Sequence, residues 1–393
     1  MKILSVVAGN NSLKFSLFDM DNFNALATGV FERIGIDGSK YTIKYDDQVI
    51  TQEVELEDYV AACRTLLDKL ISLEIIKSSF EIDGVGHRVA HGKDIFNKST
   101  IITDEVIEKL KELKDIAPLH NPSNILGIEA FKEVLPGVLQ VAVFDTAFHQ
   151  TMDEVTYLYP VPYSWYKDYG LRKYGFHGTS HRFIVREVKK ILNKDEFKLI
   201  SCHLGVGCSV AAIKDGKCVD TSMGFTPVAG IMMETRSGDV DPSIIPYIME
   251  KEGKNASEVV DDLNKNSGLY GMSGFSDNIN DIINRSAEGD HLSTLAKEKF
   301  VRRIVDYIAQ YYVLLDGADI ITFSGDVGIN NNSIRKEVCE KLGSLGIKFD
   351  NTANESIGTM TKLSAKNSKV LVWAIPTNEE LLIAKDTYNL INR

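Results

Sequence analysis

The 393-residue chain has only five cysteines (Cys63, Cys202, Cys208, Cys218 and Cys339), and none stands in the CxxC spacing of a zinc or redox site. Such a scattered, odd set reads as reduced thiols, as expected of a cytoplasmic protein. No apolar run approaches the ~20 residues that span a bilayer. The strand-like start at Lys2 gives the expectation that the protein carries no cationic leader, and no low-complexity linker interrupts the sequence. Positive charge is in deficit: 44 Lys and Arg against 55 Asp and Glu give a net charge of −11, which argues against nucleic acid or an anionic membrane as partner. The 44% apolar and 25% charged content is that of an ordinary globular enzyme. The length suffices for two domains, since single cores rarely grow past ~250–300 residues.

Residues 3–7 are apolar, 8–12 read as a turn and 13–19 alternate with period two, so the chain opens on a hairpin. The same design recurs at 198–204, Gly205-Val-Gly-Cys208 and 209–215, which suggests an internal duplication. Helices are expected at 104–114, 122–134, 180–192, 259–265, 292–315 and 380–392, with buried strands at 139–144 and 319–324. Alternation of this kind gives α/β layers with sites at the strand ends. The boundary between domains is expected near residue 150.

The chemistry concentrates in a few irregular segments. Residues 220–242 combine Gly224, Gly230 and Gly238 with hydroxyls, Arg236 and three aspartates. Arg236 suits an anion through its bidentate fork, although the same composition also describes a surface loop stabilised by Arg–Asp pairs. Gly86-His-Arg-Val-Ala-His-Gly92 sets Arg88 between two histidines, and His120 precedes a helix start. Asp145 ends an apolar strand in Phe144-Asp-Thr-Ala-Phe-His149, and His177 lies between glycines in Tyr174-Gly-Phe-His-Gly178. Each histidine taken alone fits a structural role as well as a catalytic one, and Asp145 taken alone fits a helix cap. Together with two turn-borne arginines they point to phosphoryl transfer, where catalysis is positioning plus neutralisation of spread negative charge.

These blocks, with Pro118-Leu-His-Asn-Pro122, Asp220-Thr-Ser-Met-Gly-Phe-Thr-Pro227, Thr235-Arg-Ser-Gly-Asp239 and Pro376-Thr-Asn-Glu-Glu380, resemble the acetate kinase family along essentially the whole chain. The resemblance implies an α/β fold of two duplicated actin-like (ribonuclease H-like) domains flanking a central active-site cleft. The first domain would comprise 1–149 plus a returning 380–393, and the second 150–379. It implies reversible phosphoryl transfer between ATP and acetate, with ADP and acetyl phosphate as products, magnesium as cofactor and a homodimer as assembly. By the same resemblance Arg88 and Arg236 would bind the acyl carboxylate and the transferring phosphoryl, His177 would stabilise the transition state and Asp145 would be the essential acid. Glu379 would hold magnesium through water. Ala90, Leu119, His120, Phe176 and Pro227 would line the acyl side. Lys14, the turn His203, Leu204, Gly205, Val206 and Gly207, and the segments Asn278, Ile279, Asn280 and Asp326, Val327, Gly328, Ile329, Asn330 would face the nucleotide.

The sequence also departs from the family's usual pattern, and the departures cluster on the nucleotide side. Val7 and Val206 stand where asparagines are usual, and valine cannot ligate a hard cation through its side chain. Glu234 replaces a glycine and Asn278-Ile-Asn280 replaces Asp-Phe-Arg. Gly-Ile-Gly-Glu-Asn becomes Asp326-Val-Gly-Ile-Asn330. Three readings follow: tolerated drift with backbone amides holding the phosphates, a different donor such as pyrophosphate, or a non-catalytic carboxylate-binding paralogue. Ala90 replaces a common valine, so propionate is expected to be accepted with acetate.

Overall fold

The computed structural model describes residues 1–118 and 120–392. The chain forms two compact units, Met1–Phe148 with Asn378–Arg393, and His149–Thr377. Among the described residues no helix is long and apolar enough to cross a membrane.

The first unit contains strands β1 (Lys2–Gly9), β2 (Ser12–Asp19), β3 (Asn24–Glu32), β4 (Lys40–Tyr45), β5 (Gln48–Glu53), β6 (Ile82–Val89), β7 (Thr100–Ile101) and β8 (Leu139–Phe144). They form one sheet in the order β5-β4-β3-β2-β1-β6-β8-β7. The second unit contains β9 (Lys198–Leu204), β10 (Cys208–Lys214), β11 (Lys217–Thr221), β12 (Ile320–Ser324), β13 (Thr361–Lys362) and β14 (Leu371–Ala374), ordered β11-β10-β9-β12-β14-β13. Six consecutive strands correspond between the two, β3-β2-β1-β6-β8-β7 and β11-β10-β9-β12-β14-β13. In the first sheet β1 is antiparallel to β2 and parallel to β6, which is parallel to β8. In the second, β9 is antiparallel to β10 and parallel to β12, which is parallel to β14.

The residues explain the layers. β1 and β2 bury Leu4, Val6, Leu13, Phe15 and Leu17 in the first core, and β9, β10 and β12 bury Ile200, Cys202, Val210, Ile321 and Phe323 in the second. The helix His291–Leu314 covers that second core with Phe300, Ile304, Ile308 and Tyr311. In the first unit the terminal helix Glu379–Ile391 lies so close to β6 that a side chain at Gly86 would meet Thr387 Oγ1 at 2.3 Å and Ile383 Cγ2 at 2.6 Å. Gly86 therefore owes its identity to helix–sheet packing.

All five cysteines are buried free thiols. The expected helices and strands occur with ends displaced by a few residues. The strand at 320–324 runs directly into a short helix, Gly325–Asn330, which contains residues 326–330. β3 to β5 and the helix Tyr59–Ser72 were not anticipated, although Asp46 and Asp47, both at positive φ, mark the two-residue turn between β4 and β5.

Candidate active site

In the first unit the candidate residues gather at the C-terminal ends of parallel strands, as expected of α/β sheets. Arg88 is on β6 and Asp145 directly follows β8. The Asp145 carboxylate, 1% exposed, accepts from Arg88 Nε at 2.9 Å and Nη2 at 2.5 Å through a single oxygen. Asp145 is thus an ion-pair partner of Arg88. Its charge is the main cause that raises the Arg88 pKa above its ordinary value. Arg88 Nη1 makes no hydrogen bond to another described residue, which leaves one face of the fork for a ligand.

The chain beyond Arg88 is clamped by the helix Asn121–Val134. Asn124 accepts from the Ala90 amide at 3.0 Å, and Asn121 both accepts from the His91 amide and donates to its carbonyl. His120 is the residue at which this helix begins, and Leu119 lies outside the described residues. Burial lowers His87 and His91 to about 4, so both flanking histidines are neutral near pH 7.

Glu379 and Glu380 open the terminal helix in the same unit. Burial, opposed by Arg88 and reinforced by Asp145 and Glu380, raises Glu379 to about 7. Glu380 forms an ion pair with Lys14; burial pushes its carboxyl up, but Lys14, its own backbone amide and Arg88 together outweigh this and the net direction is downward. Among the described residues no three His, Cys, Asp or Glu side chains are arranged to hold a metal by themselves. Magnesium commonly takes one or two carboxylates with water and substrate phosphates. A buried carboxylate disfavoured by two others fits that role, because an added cation would relieve the repulsion.

In the second unit, His177 holds a left-handed φ of 58° at the start of the helix Gly178–Leu192. Such backbone strain in a non-glycine residue is itself a pointer to function. Its ring lies 4.4 Å from that of His203, centroid to centroid, and His203 Nδ1 hydrogen-bonds Ser180 Oγ at 2.8 Å. A side chain at Gly207 would stand 3.1 Å from the His177 ring and 3.4 Å from Arg236 Nη1. The glycine turn, His177 and Arg236 are therefore one cluster.

The loop that carries Arg236 is secured by other pairs. Asp239 accepts from the Gly230 amide, Arg303 and Tyr307, and Asp220 from Lys173. Arg236 makes no ion pair among the described residues, its one side-chain contact being Met233 Sδ at 3.7 Å, and burial lowers its pKa. A partly desolvated guanidinium without a carboxylate is arranged for an anionic ligand.

Gly205 packs near the Asp326 amide, and Gly325, at φ 75°, has no room for a side chain, which would stand 2.4 Å from the Leu204 carbonyl oxygen. The two segments expected on the nucleotide side meet, since Asn331 donates to Asn280 at 2.9 Å while Asn278 caps the helix Ile279–Ala287. Leu204, Ile279, Val327 and Ile329 are core residues, so only their backbone can face a ligand. Gly328 and Ile329 give their carbonyls to buried Arg335, and Asn330 donates to Asp326. Val206 is 73% exposed. Phe176 is buried and its carbonyl is 2.8 Å from His149 Nε2; Pro227 is half-buried. Glu234 makes no ion pair among the described residues, and burial, Asp277 and Asp326 together raise its pKa.

Sequence reasoning missed Asn121, Asn124, Glu380 and Ser209 as supports of this chemistry. Asn121 and Glu380 were visible inside the quoted motifs, but only the fold shows what they hold.

Two α/β units of matching strand order, each with polar and charged side chains at its strand ends, define the two-domain actin-like class. Solved structures of that form include acetate kinase from Porphyromonas gingivalis (TM-score 0.95, 41% identity, 99% of both chains) and a propionate kinase from Francisella tularensis (TM-score 0.93, 39% identity, 99% of both chains). The chain belongs to the acetokinase family, whose model matches residues 2–385. Curated relatives include acetate kinases of Anoxybacillus flavithermus, 48% identical over all of this chain and 99% of the relative, and of Halalkalibacterium halodurans, 49% identical over 98% of this chain and 100% of the relative.

Proposed function

We propose that the chain is an acetate kinase, transferring a phosphoryl group reversibly between ATP and acetate. The observation that carries this reading is Arg236, a desolvated guanidinium with no carboxylate partner beside His177 and a glycine turn. In a reaction whose transition state spreads charge over phosphoryl oxygens, Arg236 and His177 supply fixed positive potential and a hydrogen bond. Arg88, oriented by Asp145, takes the acyl carboxylate through its remaining nitrogen. The backbone at 205–207 and 325–326 holds the nucleotide phosphates.

Magnesium, when bound, neutralises phosphate charge, and Glu379 would hold it through water. A homodimer belongs to the same reading. No observation favours a pyrophosphate donor or a non-catalytic role.

The test is to trap acyl phosphate as the hydroxamate, with acetate, magnesium and ATP present. Hydroxamate that depends on ATP is the expected result. None from folded protein, or product with pyrophosphate alone, overturns the reading.

A further inference from the structure

In the proposed reaction His177 donates a hydrogen bond to the transferring phosphoryl, yet a neutral imidazole donates only from the nitrogen that carries its proton. His177 Nδ1 lies 2.9 Å from Ser209 Oγ. The same hydroxyl lies 2.8 Å from His181 Nε2, and His181 Nδ1 lies 2.9 Å from Ser201 Oγ. His181, Ser201 and Ser209 are fully buried. The local structure explains the juxtaposition. Ser209 pairs with His203 and Ala211 with Ser201 across β9 and β10, so Ser201 and Ser209 share a face of the sheet. His177 and His181 are one helical turn apart.

Burial, with His149 and His203 nearby, keeps His181 well below its ordinary pKa, so it carries a single ring proton. Each serine hydroxyl also has one. The hydrogen bonds must then all run in one direction. If they ran away from His177, the Ser201 proton would be last in line and would need a further acceptor. Ser201 Oγ has only the His181 bond among the described residues, so that direction strands a buried donor, which folded proteins avoid. Run towards His177, Ser201 donates to His181 Nδ1, His181 Nε2 donates to Ser209, and Ser209 donates to His177 Nδ1. Every proton is then used.

We infer that Ser201, His181 and Ser209 are positioning residues that form a one-way hydrogen-bond chain and hold His177 as its Nε2–H tautomer, the donor offered to the phosphoryl group. The assignment rests on the acetate kinase reading for the role of His177, but the tautomer itself can be measured without it.

The experiment is a long-range 15N–1H correlation spectrum of histidine-labelled protein, with His177 assigned from the His177→Asn variant. Wild type should show the proton on Nε2 of both His177 and His181. Ser209→Ala should mix the His177 tautomers and lower kcat about 10- to 100-fold, the usual cost of losing an orienting partner, with KM values within about twofold. Ser209→Thr, which keeps the hydroxyl, should restore both. A wild-type His177 protonated on Nδ1, or a Ser209→Ala variant with unchanged tautomer and kcat, overturns the inference. The wild-type spectrum decides even if Ser209→Ala fails to fold. A protein that makes no acyl phosphate would refute the function while leaving the tautomer test intact.

Discussion

The turn Gly9-Asn10-Asn11-Ser12 and the turn Gly205-Val206-Gly207 join corresponding strands of the two sheets, yet they are secured differently. In the first, the Tyr59 hydroxyl donates to the Gly9 carbonyl and Asn11 donates to the Ile34 carbonyl at 2.8 Å. In the second, Gly207 lies beside the His177 ring and Arg236, Val206 is exposed, and Cys208 Sγ donates to the Gly205 carbonyl. The contrast extends to the charges. In the first unit Arg88 is matched by Asp145 and Lys14 by Glu380; in the second, Arg236 and Glu234 have no ionic partner among the described residues. The first unit therefore pairs its charged side chains internally, whereas the second leaves Arg236 without a carboxylate, which is what the proposed reading assigns to an anionic ligand.

The strongest way to break that comparison is at the two arginines. Arg88→Ala removes the ion-pair partner of the buried Asp145 carboxylate and should cost about 3–5 kcal/mol of stability as well as turnover. Arg236→Ala should lower kcat about 10²–10³-fold while changing stability by no more than about 0.5 kcal/mol. Denaturant melts read beside the hydroxamate assay check both; equal destabilisation by the two variants would erase the distinction.

A smaller effect is expected at Glu234. Its like charge near the glycine turn should weaken ATP binding, so Glu234→Gln should lower the KM for ATP about 3- to 10-fold, most clearly at low ionic strength. The sign for stability follows from its raised pKa. The native state favours protonated Glu234, so this stabilisation is present below the ordinary carboxylate pKa and is lost as pH rises through the folded value. Glu234→Gln should therefore raise the melting temperature at neutral pH and leave it unchanged in acid. An unchanged KM for ATP would place the carboxylate away from the phosphates.

The smallest effect sharpens the first unit. Ala90 is buried and its amide is fixed by Asn124, so Ala90→Val should alter only the space beside the acyl group. The ratio of kcat/KM for propionate to that for acetate should fall about 10-fold, within the range one methylene can supply. A ratio that does not move would remove Ala90 from the acyl wall.

Much of this molecule was legible in one dimension. Strand alternation at 13–19 and 209–215 exposed the repeated hairpin, because period two records which face is buried. The glycines, arginines and histidines pointed to an anion site, the reading proposed above, because few other functions need them on irregular backbone. What stayed hidden was pairing. That Asp145 faces Arg88 shows only once parallel β6 and β8 bring the two together. The aspartates at 220–242 looked equally suited to neutralise Arg236, until Asp239 was found on Arg303 and Asp220 on Lys173.

The sequence by itself determined the α/β class, the duplicated hairpin, the family and the types of side chain available for chemistry, since composition and local periodicity are properties of the chain. Only the tertiary structure decided which charges are paired with one another, that Glu379 is lifted to about 7 while Glu380 beside it is lowered, and that Ser209 lies between two histidines. Hydrogen bonds and Coulomb interactions depend on distances across the fold, and residues far apart in the chain acquire those distances only when strands and helices pack.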